Sequence, residues 1–168
     1  MEQFVKQYQL LTDWFLSVLD GVSDGDGSKT INGQGNSLEW LAGHLITGRY
    51  RNMLRIGMQI EPYKYLDKFQ NVSLPPPNAI AFSTAINYAT LSECKEQWIS
   101  YSNIFLDRLK QLDNDALKVE IPFTVPMGGN TVEDALNFVV MHESYHIGQM
   151  SIIRKSLGYK PMVLGRRK

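Results

Sequence analysis

TVEDALNFVVMHESYHIGQMSIIRKSLG, residues 131–158, is the stretch that decides the fold class of this chain. Its apolar residues recur at the three- and four-residue intervals of an α-helix. Thr131 and Asp134 form a cap pair, which predicts that the helix starts at or just before Thr131. Gly158 predicts that it ends near Leu157. A helix of this length with an apolar stripe needs other helices to pack against.

Three further segments show the same helical spacing and complete a predicted bundle. They cover residues of about 2–20, 36–57 and 83–112. The second has Asn36 and Glu39 at the spacing of a capping box. The apolar stripe of the third predicts core positions at Ile86, Leu91, Trp98, Ile99, Phe105 and Leu109. Four such helices around one core predict an all-α protein, a four-helix bundle formed by a single domain over residues 1–168.

Two connections depart from the helical pattern. Residues of about 58–82 contain Pro75-Pro76-Pro77, which no helix accommodates, so this connection is free to cross the bundle. Residues 118–131 alternate apolar and polar positions and then reach Gly128-Gly129. They predict a short extended segment or hairpin ahead of the last helix. Both connections are expected to shape the mouth of a pocket between the helices.

The composition favours a folded protein without a strongly charged partner. Hydrophobic residues make up 43% and charged residues 20%, and 17 basic residues balance 17 acidic ones. This balance gives no field that attracts nucleic acid or an anionic membrane. Cys94 is the only cysteine, which fits a reducing compartment, and its polar helical flank predicts an ordinary helix residue rather than a catalytic thiol. Without a signal-peptide pattern or an apolar run of about 18 residues, we expect a cytoplasmic protein.

The chain has three histidines, and their spacing is typical of metal ligands. His142 and His146 are four residues apart, so they lie on one face of the last helix about one turn from each other. His44, in the second predicted helix, completes a facial triad if the two helices pack side by side. Three neutral imidazoles leave coordination positions open, which is the arrangement of a catalytic site rather than a closed structural one.

The string His142-Glu-Ser-Tyr-His146 also matches H-E-x-x-H, the motif of zinc metalloproteases. The usual versions take a third ligand from further along the chain. After His146 the sequence IGQMSIIRKSLGYKPMVLGRRK contains no His, Asp or Glu. The third ligand has to come from upstream, where His44 is the remaining histidine, so the protease interpretation is disfavoured.

The residues around the histidines resemble the DinB-like superfamily, also called DinB/YfiT-like. SLEWLAGHL, residues 37–45, looks like its second-helix signature, and His142-x-x-x-His146-x-Gly148-Gln149 looks like its last-helix signature. LGYKP, residues 157–161, resembles its usual ending, and the resemblance covers essentially the whole chain.

That resemblance implies a bundle with up-down-down-up topology, a divalent metal ion held by His44, His142 and His146, and frequently a homodimer. Characterised members of the superfamily include thiol-dependent S-transferases and isomerases that use low-molecular-weight thiols such as bacillithiol or mycothiol.

Which metal such a site holds follows only in part from its ligands. Imidazole suits zinc, nickel, copper and iron. A triad without a carboxylate argues against manganese and against the iron site built from two histidines and one carboxylate. We expect zinc or nickel, with iron and manganese as further alternatives.

Trp40 and Arg51, four residues before and seven after His44, are expected to share its helix face.

Two polar residues of the last helix are candidate catalytic residues. Gln149 lies three residues past His146, where its amide either orients a ligand or substrate or packs between helices. Glu143 lies beside His142. It is either a base that reaches metal-bound water, as in H-E-x-x-H proteins, or a solvent-facing helix residue.

The leading functional hypothesis is a metal-dependent enzyme that transfers a low-molecular-weight thiol to a small electrophile, since a metal ion lowers the pKa of a bound thiol. Metal-dependent hydrolysis is the second hypothesis. The third is a non-catalytic dimeric bundle that binds metal or a small molecule. In each case the expected partner is a small molecule, and neither nucleic acid nor a membrane is expected.

Overall fold

A computed structural model of the chain describes residues 1–71 and 78–165. Over these residues the helices are α1 (Glu2–Val18), α2 (Asp24–Gly27), α3 (Leu38–Arg55), α4 (Leu91–Gln111) and α5 (Val132–Ser156). Two short antiparallel strands, β1 (Gln70–Asn71) and β2 (Asn78–Ala79), lie between α3 and α4. The predicted all-α four-helix bundle is confirmed, and α1, α3, α4 and α5 form it. The prolines at 75–77 lie outside the described residues.

The order of the helices around the core differs from their order along the chain. α1 packs against α4 and α5, and α3 packs against the same two helices. Phe15 stacks on Trp98 at 4.1 Å, and Tyr8, closer to the start of α1, meets Phe105, further along α4, at 4.8 Å. α1 and α4 are therefore antiparallel.

The remaining directions follow from contacts of α1 with α3 and α5. The Tyr8 hydroxyl donates to the Leu136 carbonyl near the start of α5, and Arg154 near the end of α5 donates to the Val18 carbonyl, so α1 and α5 are parallel. Asn52, near the end of α3, donates to the same Tyr8 hydroxyl near the start of α1. α3 therefore runs opposite to α1, and the up-down-down-up topology implied by the family resemblance is confirmed.

The start and end of α5 are those expected from the sequence. The Thr131 hydroxyl accepts from the Asp134 backbone N–H at 3.2 Å, and the Asp134 carboxylate accepts from the Thr131 N–H at 3.0 Å. These two bonds satisfy backbone donors that the first turn of a helix leaves unpaired. Gly158 follows the helix with a φ of 87°, a conformation that costs glycine little.

The predicted start of α3 near Asn36 or Ser37 is confirmed, whereas the predicted capping box is wrong. Ser37 is the cap, and its hydroxyl accepts from the Trp40 backbone N–H at 3.2 Å. The expected capping box of Asn36 and Glu39 does not form. Glu39 instead packs against α2, where burial raises the pKa of its carboxyl to about 7.

The predicted start of α4 near Ser83 is wrong. The helix begins at Leu91 behind a capping box formed by Thr90 and Glu93. The residues before it form a loop whose side chains also pack on the core, so apolar spacing alone extends the predicted helix too far. Ile99 was expected in the core and is 43% exposed. The other predicted core positions of this segment are buried or partly buried, namely Ile86, Leu91, Trp98, Phe105 and Leu109.

The segment before α5 is extended and folds back on itself, as predicted. The Ile121 N–H donates to the Asn130 carbonyl at 2.7 Å, and the Val132 N–H donates to the Val119 carbonyl at 2.9 Å. Aromatic side chains of the longer connection between α3 and α4 pack against the bundle. One of them, the buried Phe69, lies against α3.

Candidate metal centre

The three histidines converge between α3 and α5. Nε2 of His142 lies 3.1 Å from Nε2 of His44 and 3.1 Å from Nε2 of His146. One ring nitrogen from each histidine lies within 4.8 Å of the others, and all three side chains are half-buried. Because α3 and α5 pack as antiparallel neighbours, His44 meets a pair that is distant in sequence. The structure thus brings together the three predicted metal ligands.

The donor set fits a divalent metal ion. Zinc–nitrogen bonds of about 2.0–2.1 Å at tetrahedral angles place two ligand nitrogens about 3.3 Å apart, close to the observed separations. Burial, and after it the neighbouring histidines, lowers the pKa of His44 to about 3 and of His142 to about 4. Burial lowers the pKa of His146 as well. The imidazoles are therefore neutral at pH 7, as metal ligands must be.

Gln149 determines which nitrogen of His146 faces the other histidines. Its amide oxygen lies 2.7 Å from Nδ1 of His146, and its amide nitrogen donates to the Tyr145 hydroxyl at 3.0 Å. Because an amide oxygen only accepts, Nδ1 carries the proton and Nε2 presents its lone pair. This contact joins Gln149 to a predicted metal ligand, and its two predicted roles stay predictions.

Aromatic side chains hold His44 in place. The Trp40 ring stacks on the His44 ring with centroids 4.8 Å apart and planes 8° apart, so the two residues share a face as expected. Phe69 occupies the space beside Gly43, where an added Cβ would overlap its ring. The glycine before His44 therefore lets the long connection approach α3 closely.

A cavity of about 190 Å³ opens beside the triad. It is lined by His44, Thr47, Gly48, Arg51, Arg55, Phe69, Phe138, Val139 and His142. Arg51 shares the His44 face, as predicted, and Phe69 comes from the long connection. Phe123, from the segment before α5, lies with its ring centroid 5.0 Å from the Arg55 guanidinium. The long connection thus contributes to the pocket as predicted, whereas the segment before α5 contacts Arg55 and is not among the described lining residues.

The cavity is cationic. None of the described residues that line it is acidic, and two are arginines. Burial, and after it the neighbouring Arg51, lowers the pKa of Arg55 to about 10, so its guanidinium stays charged at pH 7. Arg51 also contributes to the lowered pKa of His44, behind burial and the other histidines.

Comparison with known proteins agrees with this architecture. The sequence profile of the DinB superfamily matches residues 7–150. This chain belongs to the DinB superfamily. The chain matches no curated protein.

Solved structures with the same DinB-type bundle are distant in sequence. A DinB-like protein from Bacillus cereus is 15% identical, with a TM-score of 0.71 over 100% of this chain and 97% of that one. YfiT from Bacillus subtilis, described as a probable metal-dependent hydrolase with an unusual four-helix bundle topology, is 15% identical, with a TM-score of 0.65 over 95% and 88%. A conserved protein from Enterococcus faecalis is 14% identical, with a TM-score of 0.62 over 94% and 96%. At these identities the likeness shows the fold alone.

Glu143 lies in the core of the DinB bundle and not on its surface. Its side chain is fully buried, so the solvent-facing alternative is wrong. Both of its carboxylate oxygens accept from Arg49, at 3.1 and 2.6 Å. Burial raises the pKa of the Glu143 carboxyl, and the guanidinium opposes that rise. Glu143 follows His142 in sequence, and it points into the core whereas His142 lies at the edge of the core.

Arg49 joins all four long helices of the DinB bundle. From α3 it donates to Glu143 on α5, to the Thr12 hydroxyl on α1 at 2.8 Å and to the Ser102 hydroxyl on α4 at 2.6 Å. Its guanidinium also lies 3.7 Å from the centroid of the Trp98 ring. A buried charge with this many partners orients the helices around it.

Sequence reasoning overlooked Arg49, although the pattern contains a signal. Leu45 and Met53, four residues to either side of Arg49, are buried, and Val139 and Ile147 flank Glu143 in the same way. One basic and one acidic residue that interrupt two apolar stripes are expected to pair, because an unpaired buried charge is costly.

Cys94 belongs to α4, which carries none of the three histidines. It is buried in α4, and burial raises the pKa of its thiol to about 12. The prediction of an ordinary helix residue agrees with this environment.

Across the described ranges, no helix is both long and apolar enough to cross a membrane.

Proposed function

We propose that this protein is a metal-dependent enzyme that joins a small thiol to an electrophilic small molecule at the three-histidine site. The observation that carries the proposal is the convergence of three imidazole nitrogens beside a cavity whose described lining contains no carboxylate. A divalent ion held there would supply Lewis acidity, which lowers the pKa of a nucleophile and polarises an electrophile. A thiol has an ordinary pKa of about 8.5 and water one of about 15.7, so a site without a neighbouring carboxylate base suits a thiol better.

The side chains around the triad have separate tasks in this proposal. His44, His142 and His146 would hold the ion, which we propose to be zinc or nickel. Gln149 acts as a positioning residue, because its amide keeps the proton of His146 on Nδ1. Trp40 limits the rotation of His44 by stacking on it.

Glu143 has a different proposed role from that of a general base. Its oxygens are engaged by Arg49 inside the core, so it would act through the position of α5, which carries two of the histidines. In this proposal the proton released by the thiol passes to solvent or to the substrate.

Hydrolysis is the second candidate, because the fold is shared with YfiT, which is described as a probable metal-dependent hydrolase.

We also propose a homodimer. Met141, Tyr145 and Ile152, at intervals of four and seven residues on α5, are 56%, 64% and 57% exposed and form an apolar stripe that a second copy would cover. Sedimentation analysis tests this, and a monomer at all concentrations would contradict it.

The enzymatic proposal is tested with protein reconstituted with zinc or nickel. Transfer of cysteine, glutathione or bacillithiol to chlorodinitrobenzene is compared with hydrolysis of a nitrophenyl ester without thiol. His142→Ala is expected to lose the metal-dependent rate. Ile104→Ala is the control, because it truncates a side chain that is 44% exposed on α4, outside the triad and the proposed dimer stripe.

Each outcome has a distinct meaning. Thiol transfer that depends on His142 supports the leading proposal, and ester hydrolysis alone supports the second candidate. Equal rates in wild type and His142→Ala contradict both. X-ray absorption adds a check that does not depend on turnover, since a fourth protein ligand to the ion indicates a structural site.

A further inference from the structure

We propose that the cavity beside the triad binds an oxyanion of the substrate, a carboxylate or a phosphate, through Thr47, Arg51 and Arg55. This inference rests on the proposed function and deepens it by naming the class of substrate. The three side chains line the same cavity as His44 and His142.

The positions of these residues on α3 direct them toward the histidines. His44, Thr47, Arg51 and Arg55 recur at steps of three and four residues, so they form one stripe on the helix. At about 1.5 Å per residue, the backbones of Arg51 and Arg55 lie about 10 Å and about 16 Å beyond that of His44 along the axis. Helical side chains lean toward the start of their helix, which brings both guanidinium groups back toward the triad.

Thr47 supplies an independent sign of a missing ligand atom. Its side chain is only 4% exposed and lines the cavity, yet its hydroxyl has no hydrogen-bond partner within the described part of the chain. An unsatisfied buried hydroxyl is costly in a folded protein. An anionic oxygen in the cavity would accept its hydrogen bond.

Charge and shape select the class of ligand. Arg55 donates to the Asn52 side-chain oxygen at 2.6 Å and lies over Phe123, so its guanidinium is held in position. Arg51 and Arg55 are one turn apart on α3, and both line the cavity. A guanidinium matches the geometry of carboxylate and phosphate groups and can bind them through two hydrogen bonds.

The cavity volume limits the size of that group. A volume of about 190 Å³ holds several water molecules and is enough for an oxyanion on a short chain. We therefore expect a small acid, or the acidic end of a larger molecule, whose reactive atom reaches the histidines.

Isothermal titration calorimetry of the zinc-loaded and metal-free protein with acetate and with inorganic phosphate tests the proposal. Saturable binding of one probe is expected in both forms, and the tighter probe identifies the source of the anion. Arg55→Met is expected to weaken binding about tenfold or more, the usual loss for a charge-assisted hydrogen bond, and Arg55→Lys to recover part of it. Lys155→Met, at an exposed site on α5, removes the same charge and is expected to bind as wild type.

Thr47→Val separates a ligand contact from a structural role. The substitution removes an unpartnered hydroxyl and keeps the shape of the side chain, so the melting temperature should stay level or rise while anion affinity falls. Unchanged affinity in Thr47→Val and in Arg55→Met, or no saturable heat with either probe in wild type, overturns the inference.

A separate measurement tests the proposed function, namely the rate at which the enzyme converts each of two matched electrophiles. Chlorodinitrobenzene is neutral, and its chloronitrobenzoate counterpart carries a carboxylate. If wild type turns over the neutral compound with dependence on His142 but shows no preference for the acid and no anion binding, the proposed function stands and this inference falls. If anions bind but turnover is indifferent to His142→Ala, the proposed function falls instead.

Discussion

Replacing Glu143 with glutamine removes the charge opposite Arg49 while preserving the size of the side chain. In the folded protein, Arg49 and Glu143 have no solvent exposure. The substitution leaves a guanidinium in the core without an opposing charge, although the glutamine oxygen can still accept one hydrogen bond. The hydroxyls of Thr12 and Ser102 and the face of Trp98 remain in contact with it.

The magnitude follows from that burial. Removing one partner of a buried ion pair typically costs about 3–5 kcal/mol, because the remaining charge is uncompensated. This is a large share of the total free energy of unfolding of about 5–15 kcal/mol that is usual for a domain. With a urea dependence of about 2 kcal/mol per molar, the unfolding midpoint should fall by about 1.5–2.5 M.

Urea denaturation followed by circular dichroism measures this shift in the metal-free protein. The double variant Arg49→Met/Glu143→Leu is the matched control, since replacing a buried pair by apolar residues of similar size is often neutral or stabilising. We expect the double variant to be more stable than Glu143→Gln alone.

A loss below about 1 kcal/mol in Glu143→Gln would refute the reasoning, because an uncompensated charge in the core should cost more than that. If that stable variant also lost activity with full metal occupancy, Glu143 would be a base after all. The expected pattern is the opposite, in which activity per folded, metal-loaded molecule is retained.

Three further predictions concern the metal centre. Gln149→Leu should lower zinc affinity about 10–100-fold in chelator competition, because the histidine it bonds loses its orienting partner, and unchanged affinity would assign Gln149 to packing alone. Gly43→Ala should cost about 1–3 kcal/mol by displacing Phe69, whereas Gly48→Ala, with open space around its Cβ, should stabilise α3 by about 0.5–1 kcal/mol; equal melting temperatures would contradict this. The pKa of His44 falls from 6.5 to about 3 on folding, so the unfolded chain binds the extra proton and the unfolding free energy of the metal-free protein should decrease as pH drops from 6.5 toward 3. His44→Gln should flatten that profile in urea titrations, and an unaltered slope would show that other groups produce it.

The family resemblance and the periodicity of apolar residues predict the four long helices of the bundle. Thr131 and Asp134 marked the start of α5 correctly because a capping box is a local arrangement written in four consecutive residues. The same kind of signal, Thr90 with Glu93, was present before α4 and was missed in favour of apolar spacing, which loop residues that pack on the core also satisfy.

Glu143 shows where sequence reasoning about the site reached its limit. The H-E-x-x-H pattern placed it beside His142 and suggested either a base or a solvent-facing residue. Adjacent residues on a helix point about 100° apart, so a histidine at the edge of the core and a glutamate inside it are both compatible with the pattern. Only the contact with Arg49 on α3 resolves which way Glu143 points.

The sequence by itself determined what depends on spacing within one segment: four helices, most of their ends, and the pairing of His142 with His146 on one helix face. The packing of α3 against α5 decided the rest, because it joins groups far apart in the chain. It brought His44 to that pair, seated Arg49 against Glu143 in the core, and placed Thr47 and Arg55 in the cavity beside the triad. Distances between such groups depend on how the helices cross, and no interval counted along a single helix contains that information.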